Sequence, residues 1–262
     1  MRIKPKKSLG QNFLVDNNII EKIISVKAIK DLNVLEVGPG TGNLTRFILE
    51  KKPCQLIVVE KDKELSLSLK EKFKEKILIH NEDILEFDVN KNLKGKFIVF
   101  GNLPYNISTE IICNWILKLN NRVIFTDLIL MFQKEVAQRI LAKENNSNYG
   151  RLSIISNWMF DIKKIIDVSP NSFYPKPKID STILHFSLRE KIYKLQNVKH
   201  LETITKVFFN QRRKMIKKPL KQLFEDYLNI SSELELDLNL RPQNLNPEVY
   251  YKISNIYSKL RS

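Results

Sequence analysis

The chain has 262 residues, which is enough for one large domain or two smaller ones. Hydrophobic residues make up 43% and charged residues 28%, as in water-soluble globular proteins, and no apolar run approaches the roughly 18 residues of a membrane span. The net charge of +15 favours a polyanionic partner, with nucleic acid ahead of an anionic membrane surface. The composition that an A+T-rich genome encodes would by itself supply part of the lysine excess.

No apolar signal core follows the basic residues 1–7, so we expect a cytoplasmic protein. Cys54 and Cys113 form no metal-binding motif, and we expect both to be buried free thiols. The three histidines are scattered along the chain, and we expect no metal site.

From residue 33 to residue 186, short apolar runs alternate with longer segments of helical spacing. This alternation predicts a largely parallel α/β sheet. The predicted strands are 34–37, 56–60, 77–80, 97–100, 128–132, 162–168 and 182–186. The predicted helices between them are 44–51, 63–74, 107–119, 134–142 and 152–159.

Only helical patterns follow residue 186, over 198–209, 215–228 and 248–260. We therefore predict an α/β domain in residues 1–188 and a basic helical domain in residues 189–262. The densest basic run, residues 211–218, indicates either an RNA contact or a solvated helix face.

A glycine-rich turn follows the first predicted strand. Residues 38–42 read Gly-Pro-Gly-Thr-Gly, which places three of the chain's seven glycines at alternate positions. Glycine lets a backbone approach a ligand closely, and the next helix offers free N–H groups at its start. The spacing matches neither the dinucleotide fingerprint nor the phosphate-binding P-loop. The turn is therefore a cofactor loop or an ordinary structural turn.

Acidic residues follow the next two predicted strands. Glu60 stands where an acid accepts ribose hydroxyls in dinucleotide-binding folds. Asp83 can accept from the amino group of a bound adenine. Either residue also suits a helix cap or a surface position. Their shared place at the carboxyl ends of strands, where open α/β sheets bind ligands, favours a site.

The residues Asn102-Leu103-Pro104-Tyr105 follow the fourth predicted strand. An Asn oxygen and a backbone carbonyl can accept the two hydrogens of an amine on a flat ring, and a Tyr ring can stack on that ring. Proline fixes the turn and has no N–H. The same residue types also make ordinary turns.

These four features together predict a ligand that has ribose and adenine but no pyrophosphate. S-adenosylmethionine fits that description. The predicted reaction is an in-line methyl displacement, which depends mainly on proximity and orientation.

Longer motifs make the chain resemble the KsgA/RsmA family of small-subunit rRNA adenine-N6 dimethyltransferases over nearly its whole length. They read SLGQNFLVD, EVGPGTG, GNLPYNIST, MFQKEVA, PNSFYPKPKIDS and FFNQRRK. The resemblance implies a Rossmann-like S-adenosylmethionine-dependent methyltransferase domain with a mostly parallel seven-stranded sheet. It implies dimethylation of two adjacent adenosines in a hairpin loop near the 3′ end of 16S rRNA, within an immature 30S subunit. We expect a monomer.

The resemblance also implies residue roles. Asn102 and the Leu103 carbonyl would orient the target amine, and Tyr105 and Phe173 would stack on the two faces of a flipped-out adenine. The basic run would bind RNA through Arg212, Arg213 and Lys214. The residues expected to bind the cofactor are Asn12, Leu14, Gly38, Gly40, Glu60, Asp83 and Asn102.

The tail departs from the family pattern at Lys217-Lys218-Pro219, and we expect Pro219 to end a helix early. Three alternatives stay open. An Erm-type large-subunit rRNA methyltransferase shares the fold and cofactor, although the full-length motifs favour the small-subunit enzyme. A ribosome-assembly factor would bind the subunit as its main duty. A mitochondrial transcription-factor relative is disfavoured because no transit-like presequence is seen.

Overall fold

The computed structural model of the protein describes residues 5–119 and 123–261. The chain divides into two compact units. The first unit contains residues 1–114, 123–137 and 162–188, and the second contains 115–122, 138–161 and 189–262.

Within the described residues, nine strands form a seven-stranded sheet and a separate two-stranded sheet. The larger sheet contains β2 (Asn33–Val37), β3 (Gln55–Val59), β4 (Leu78–His80), β5 (Phe97–Asn102), β6 (Phe125–Gln133), β7 (Phe160–Val168) and β9 (Ser181–Leu188). The smaller sheet pairs β1 (Phe13–Leu14) with β8 (Phe173–Tyr174) in antiparallel register.

The described residues form α-helices that range in length from 4 to 13 residues. In chain order they are α1 (Asn17–Ser25), α2 (Asn43–Glu50), α3 (Lys63–Phe73), α4 (Val89–Asn92), α5 (Ser108–Leu119), α6 (Lys134–Leu141), α7 (Arg151–Met159), α8 (Val198–Asn210), α9 (Lys217–Leu223), α10 (Tyr227–Glu233) and α11 (Pro247–Lys259). None of them, within residues 5–119 and 123–261, has the length and apolar character required to cross a bilayer.

The order of the large sheet is β4-β3-β2-β5-β6-β9-β7. The strands from β4 to β6 run parallel, and β9 runs antiparallel to β6. The chain moves outward from β2 through β3 to β4 and then returns to place β5 on the other side of β2. This reversal is the switch point at which open α/β sheets bind ligands. In register, Val37 at the end of β2 lies beside Gly101 on β5, so the glycine turn and Asn102 meet there.

The predicted α/β class and its mostly parallel seven-stranded sheet are confirmed. The central strands read as apolar runs because they are buried on both faces, as Val34, Val58 and Phe100 illustrate with no exposed surface. The sequence did not predict α1 or the β1–β8 pair. Asp16 caps α1 by accepting from the N–H groups of Asn18 and Ile19.

The second unit packs α8 against α7 and α11. Two of its buried aromatic side chains have a polar partner: the Tyr149 hydroxyl donates to the Leu245 carbonyl at 2.9 Å, and the Trp158 indole donates to the Tyr193 carbonyl at 2.8 Å. Besides residues 189–262, this unit contains α7 and the second half of α6.

Three local expectations are wrong. The helix expected over 215–228 is two helices, because Phe224 is extended and Asp226 caps α10 by accepting from Asn229 N–H. Pro219 does not end a helix; it lies in the first turn of α9, where a missing N–H leaves no bond unmade. The two cysteines are not buried as expected: Cys54, in the segment that leads into β3, is exposed, and Cys113 is half-buried.

Candidate active site

The glycine turn after β2 has a left-handed backbone at Gly38, Gly40 and Gly42, with φ of 65°, 59° and 78°. A Cβ on Gly40 would lie 2.6 Å from the Phe13 ring, and one on Gly42 would lie 2.6 Å from the Phe73 ring. A Cβ on Gly38 would lie 3.4 Å from the Asn102 carbonyl oxygen. A side chain would therefore clash with an aromatic ring at Gly40 and Gly42, and at Gly38 glycine lets the backbone of the turn lie close to Asn102.

Glu60 directly follows β3 and is 7% exposed. Its Oε1 accepts from Asp62 N–H at 2.8 Å and its Oε2 accepts from Gly40 N–H at 3.2 Å. Burial raises the pKa of the carboxyl, and the two N–H donors oppose that rise. Each oxygen retains a second lone pair for a hydroxyl donor, as recognition of a ribose requires.

Asp62 links the N-terminal segment to the site. Its carboxylate accepts from Lys6 Nζ at 2.8 Å and from Gln11 Nε2 at 2.8 Å, and it caps α3 through Glu64 N–H. Burial opposes ionisation, but the hydrogen bonds from Lys6 and Gln11 outweigh it and lower the pKa of Asp62. We call this contact of Lys6 and Gln11 with Asp62 the latch.

Asp83 follows β4 and forms an ion pair with Lys61 at 2.6 Å, while its other oxygen accepts from Leu85 N–H at 3.0 Å. Burial opposes ionisation, yet the Lys61 ammonium outweighs it and lowers the pKa of Asp83. The group is therefore an ionised acceptor at neutral pH.

Asn102 ends β5 and is half-buried. Its Nδ2 donates to the Asn12 carbonyl at 2.8 Å. A carbonyl only accepts, so this bond fixes the orientation of the amide and leaves Oδ1 as a further acceptor. Next to it, Leu103 is 1% exposed and the half-buried Tyr105 bonds through its hydroxyl to Ser181 Oγ at 2.5 Å.

A cavity of about 240 Å³ lies at this edge of the sheet. Segment 8–13, the glycine turn, and the ends of β3 and β5 line it. Eight of the predicted cofactor and catalytic residues are among its lining residues: Asn12, Gly38, Gly40, Glu60, Asp83, Asn102, Leu103 and Tyr105.

The remaining two predicted residues lie in the core instead. Leu14 is 6% exposed and its carbonyl accepts from Asn43 Nδ2 at 2.8 Å. Phe173 is 4% exposed, pairs with Leu14 across β1 and β8, and belongs to the hydrophobic core of the first unit. Neither side chain is among the lining residues of the cavity.

Residues 211–216 of the basic run lie between α8 and α9, and Lys217 and Lys218 begin α9, so the run does not form one helix face. Arg212 is half-buried: its Nε donates to Gln243 Oε1 at 3.0 Å and its guanidinium also donates to the Ser147 carbonyl. Arg213 and Lys214 are exposed and line an open concavity of the second unit. The structure thus gives Arg212 an internal role that the sequence did not indicate.

Several polar residues at the site received no role from the sequence. They include Lys6, Gln11, Lys61, Asp62 and Ser181. Only Asp62 had a recognisable signal, since an acid just before a helical segment is typical of an N-cap. Within residues 5–119 and 123–261, no three His, Cys, Asp or Glu side chains are grouped as a metal site requires.

Comparisons with known proteins agree with this geometry. The family model described as ribosomal RNA adenine dimethylase matches residues 2–259. Ribosomal RNA small subunit methyltransferase A of Pelagibacter ubique (strain HTCC1062) is 54% identical over 261 residues, with 100% of both chains covered. The protein of the same name from Mycoplasma mobile is 40% identical over 248 residues, covering 94% of this chain and 95% of its own.

Solved structures show the same likeness. A dimethyladenosine transferase from Plasmodium falciparum superposes with a TM-score of 0.79 at 26% identity, covering 94% of this chain and 98% of its own. The 23S rRNA methyltransferase ErmE superposes with a TM-score of 0.68 at 25% identity, covering 96% and 100%. Since the family model and the relatives span nearly the whole length, the chain belongs to the ribosomal RNA adenine dimethylase family.

Proposed function

We propose that this chain transfers methyl groups from S-adenosylmethionine to N6 of adenosines in small-subunit rRNA. The observation that carries the proposal is the bond from Asn102 Nδ2 to the Asn12 carbonyl, which leaves Oδ1 as an oriented acceptor. An exocyclic adenine nitrogen is a weak nucleophile because its lone pair is delocalised into the ring. A site for it has to hold both hydrogens and orient the remaining lone pair.

The residues present fit S-adenosylmethionine. Glu60 would accept from the ribose hydroxyls and the ionised Asp83 from the adenine amino group. Gly38, where a Cβ would stand 3.4 Å from the Asn102 carbonyl oxygen, would let the ligand lie against the backbone. When bound, this cofactor supplies a methyl group on a sulfonium, which needs little further activation.

The target base would be oriented rather than deprotonated. Asn102 Oδ1 and the Leu103 carbonyl would each accept one amine hydrogen, which directs the lone pair along the line of methyl transfer. Tyr105 would stack on the flipped-out base and offset part of its unstacking energy. The buried position of Phe173 in the core of the first unit argues for a supporting role there.

The substrate is proposed to be the small subunit because the curated relatives at 54% and 40% identity carry that name. The likeness to ErmE at 25% identity keeps the large subunit as the second candidate. The finer proposal is dimethylation of two adjacent adenosines in the 3′ hairpin loop of 16S rRNA within an immature 30S subunit. A single-stranded loop exposes bases that an A-form helix hides.

Residues 189–262 are proposed to bind the subunit, with Arg213 and Lys214 on RNA phosphates, while residues 1–188 carry the chemistry. The protein would act as a monomer in the cytoplasm. A binding duty during assembly could accompany the methylation, since the basic second unit would suit both.

The test is to incubate the protein with labelled S-adenosylmethionine and unmethylated small or large subunits, and to map the modified base. We expect label on adenosine N6 near the 3′ end of the small-subunit rRNA only. Label confined to the large subunit would establish the second candidate, and binding of the subunit without any label would establish an assembly factor.

A further inference from the structure

We propose that Ser181 is a positioning residue for methyl transfer, which holds the Tyr105 ring in place through the ring's hydroxyl. This inference rests on the proposed function and adds to it a residue outside the cavity. The two residues are 76 positions apart in the chain, and their side-chain oxygens lie 2.5 Å apart.

Ser181 is a fixed anchor. Its side chain has no exposed surface, and it opens β9 opposite Gln133 at the end of β6. The preceding residue is fixed as well, because Lys134 N–H donates to the Asp180 carbonyl at 3.0 Å. A hydroxyl on such a strand end has little freedom to follow a moving partner.

Tyr105 is held at its other end by its own turn. The Ser108 hydroxyl donates to the Tyr105 carbonyl at 3.3 Å, and Ile107 N–H donates to the Pro104 carbonyl at 3.1 Å. The turn restrains the backbone of Tyr105, and Ser181 restrains the phenol oxygen at the tip of the ring, while the residue lines the cavity. A stacking surface restrained in this way needs no reordering when a base arrives.

Ser181 acts through Tyr105 alone. Its side chain is not among the lining residues of the cavity, so we expect it to contact neither the cofactor nor the target base. Burial raises the pKa of the Tyr105 phenol further above physiological pH, so the phenol is neutral and either hydroxyl can donate in this bond.

The test compares Ser181→Ala, Tyr105→Phe and the double variant in single-turnover methyl transfer to unmethylated small subunits. Losing one neutral hydrogen bond corresponds to about a 3- to 10-fold slower transfer for Ser181→Ala. We expect the affinity for S-adenosylmethionine to change less than about twofold, because the serine makes no contact in the cavity. In the Tyr105→Phe background, Ser181→Ala should cause no further loss. Ser181→Thr, which keeps the hydroxyl, should restore most of the rate.

Ser66→Ala is the matched control, because it removes a buried serine hydroxyl of the same unit on α3 and should leave the rate unchanged. An equal loss from Ser181→Ala with and without the Tyr105 hydroxyl would overturn the proposal, as would a wild-type rate for Ser181→Ala.

A second readout needs no activity. With 3-fluorotyrosine at position 105, the ¹⁹F resonance should shift in Ser181→Ala but not in Ser66→Ala. An unshifted resonance would overturn the proposal. A shifted resonance in a protein whose wild type methylates no subunit would instead reject the proposed function alone.

Discussion

The side-chain amide of Asn102 donates to the backbone carbonyl of Asn12 over 2.8 Å. This bond joins the end of β5 to the N-terminal segment that lines the cavity. This one hydrogen bond therefore connects segment 8–13, which lines the proposed cofactor cavity, to Asn102, which is proposed to bind the target amine. Anything that displaces segment 8–13 is expected to disturb both.

Asp62 should control cofactor binding through the latch. Asp62→Asn keeps the oxygen that caps α3 but removes the charge opposite Lys6 and sets an NH₂ group against Gln11. We expect cofactor affinity to fall about 10-fold, with the rate at saturating cofactor nearly unchanged. Because the pKa of Asp62 is lowered, the latch should persist above the ordinary carboxyl range and weaken only as the pH falls through that lowered value.

Calorimetric titration with S-adenosylmethionine measures this effect. The matched control is Glu64→Gln, since Glu64 also faces Lys6, at 3.4 Å, but is exposed. An exposed pair contributes little, so the control should keep wild-type affinity. Equal affinities for Asp62→Asn and Glu64→Gln would refute the latch.

Glycine should be required at position 40 both because any side chain would clash with the Phe13 ring and because the backbone there is left-handed. In Gly40→Ala the new Cβ would lie 2.6 Å from the Phe13 ring, which must then shift together with the segment it belongs to. The control Gly95→Ala has a φ of 91°, and its Cβ would make only an ordinary contact, 3.7 Å from Asn33 Nδ2, so it isolates the backbone strain. We expect Gly40→Ala to destabilise the fold by about 1–3 kcal/mol more than the control and to weaken cofactor binding. Urea unfolding measures the stability and a cofactor titration measures the affinity. Equal stabilities and equal affinities for Gly40→Ala and Gly95→Ala would show that the clash with Phe13 has no effect.

Glu36 should make the fold less stable as pH rises. It lies on β2 at 1% exposure, and its carboxyl oxygens lack a hydrogen bond of good geometry within the described residues, although the hydroxyl and N–H of Thr45 lie close enough to oppose the rise in its pKa. Burial raises its pKa from 4.5 to about 8. Between those values the folded state binds one proton more than the unfolded state, so stability falls by up to about 1.4 kcal/mol per pH unit.

Glu36→Gln removes the titrating group at nearly constant size. In urea unfolding at pH 5 and pH 8, we expect the variant to lose less stability than wild type on going to pH 8. Parallel pH dependences for the two proteins would mean that Glu36 is ionised in the folded state throughout.

Substitutions of Arg212 and Arg213 should have different effects, the first on stability and the second on RNA binding. Arg212→Ala removes the bonds to Gln243 and to the Ser147 carbonyl and should lower stability by about 1–2 kcal/mol. Arg213 is exposed, so Arg213→Ala should leave stability unchanged and reduce the slope of log affinity against log salt by about 1. Filter binding to small-subunit rRNA across a salt series provides the slope. A wild-type slope for Arg213→Ala would mean that Arg213 contacts no RNA phosphate and is simply exposed to solvent.

The sequence predicted what local patterns determine. The apolar runs that became β2, β3 and β5 are each recognisable in the sequence. Because parallel strands end at one edge of the sheet, Gly38, Glu60 and Asn102 were expected to meet there. It did not predict contacts between distant polar residues. Lys6 and Asp62 are 56 positions apart and Tyr105 and Ser181 are 76 apart, and residue type alone does not specify such partners.

The same limit explains the two predicted residues that lie outside the cavity. An aromatic such as Phe173 suits a stacking surface and a hydrophobic core equally well. Phe173 packs in the core because β8 pairs with β1. This pairing joins segments about 160 residues apart in the chain, and the sequence did not predict it. Arg212 likewise has the composition of a phosphate contact, and its internal acceptors became visible only in the fold.

The central claim is that Asn102 orients a weak amine rather than removing its proton. The single-turnover rate of Asn102→Asp tests it most directly, with Asn102→Ala alongside. Aspartate supplies a stronger base at the same place but cannot donate to the Asn12 carbonyl, which its charge would repel. We predict that both variants slow methyl transfer by about 100-fold or more, as loss of one oriented polar group does elsewhere. A rate for Asn102→Asp that equals or exceeds wild type would contradict the claim.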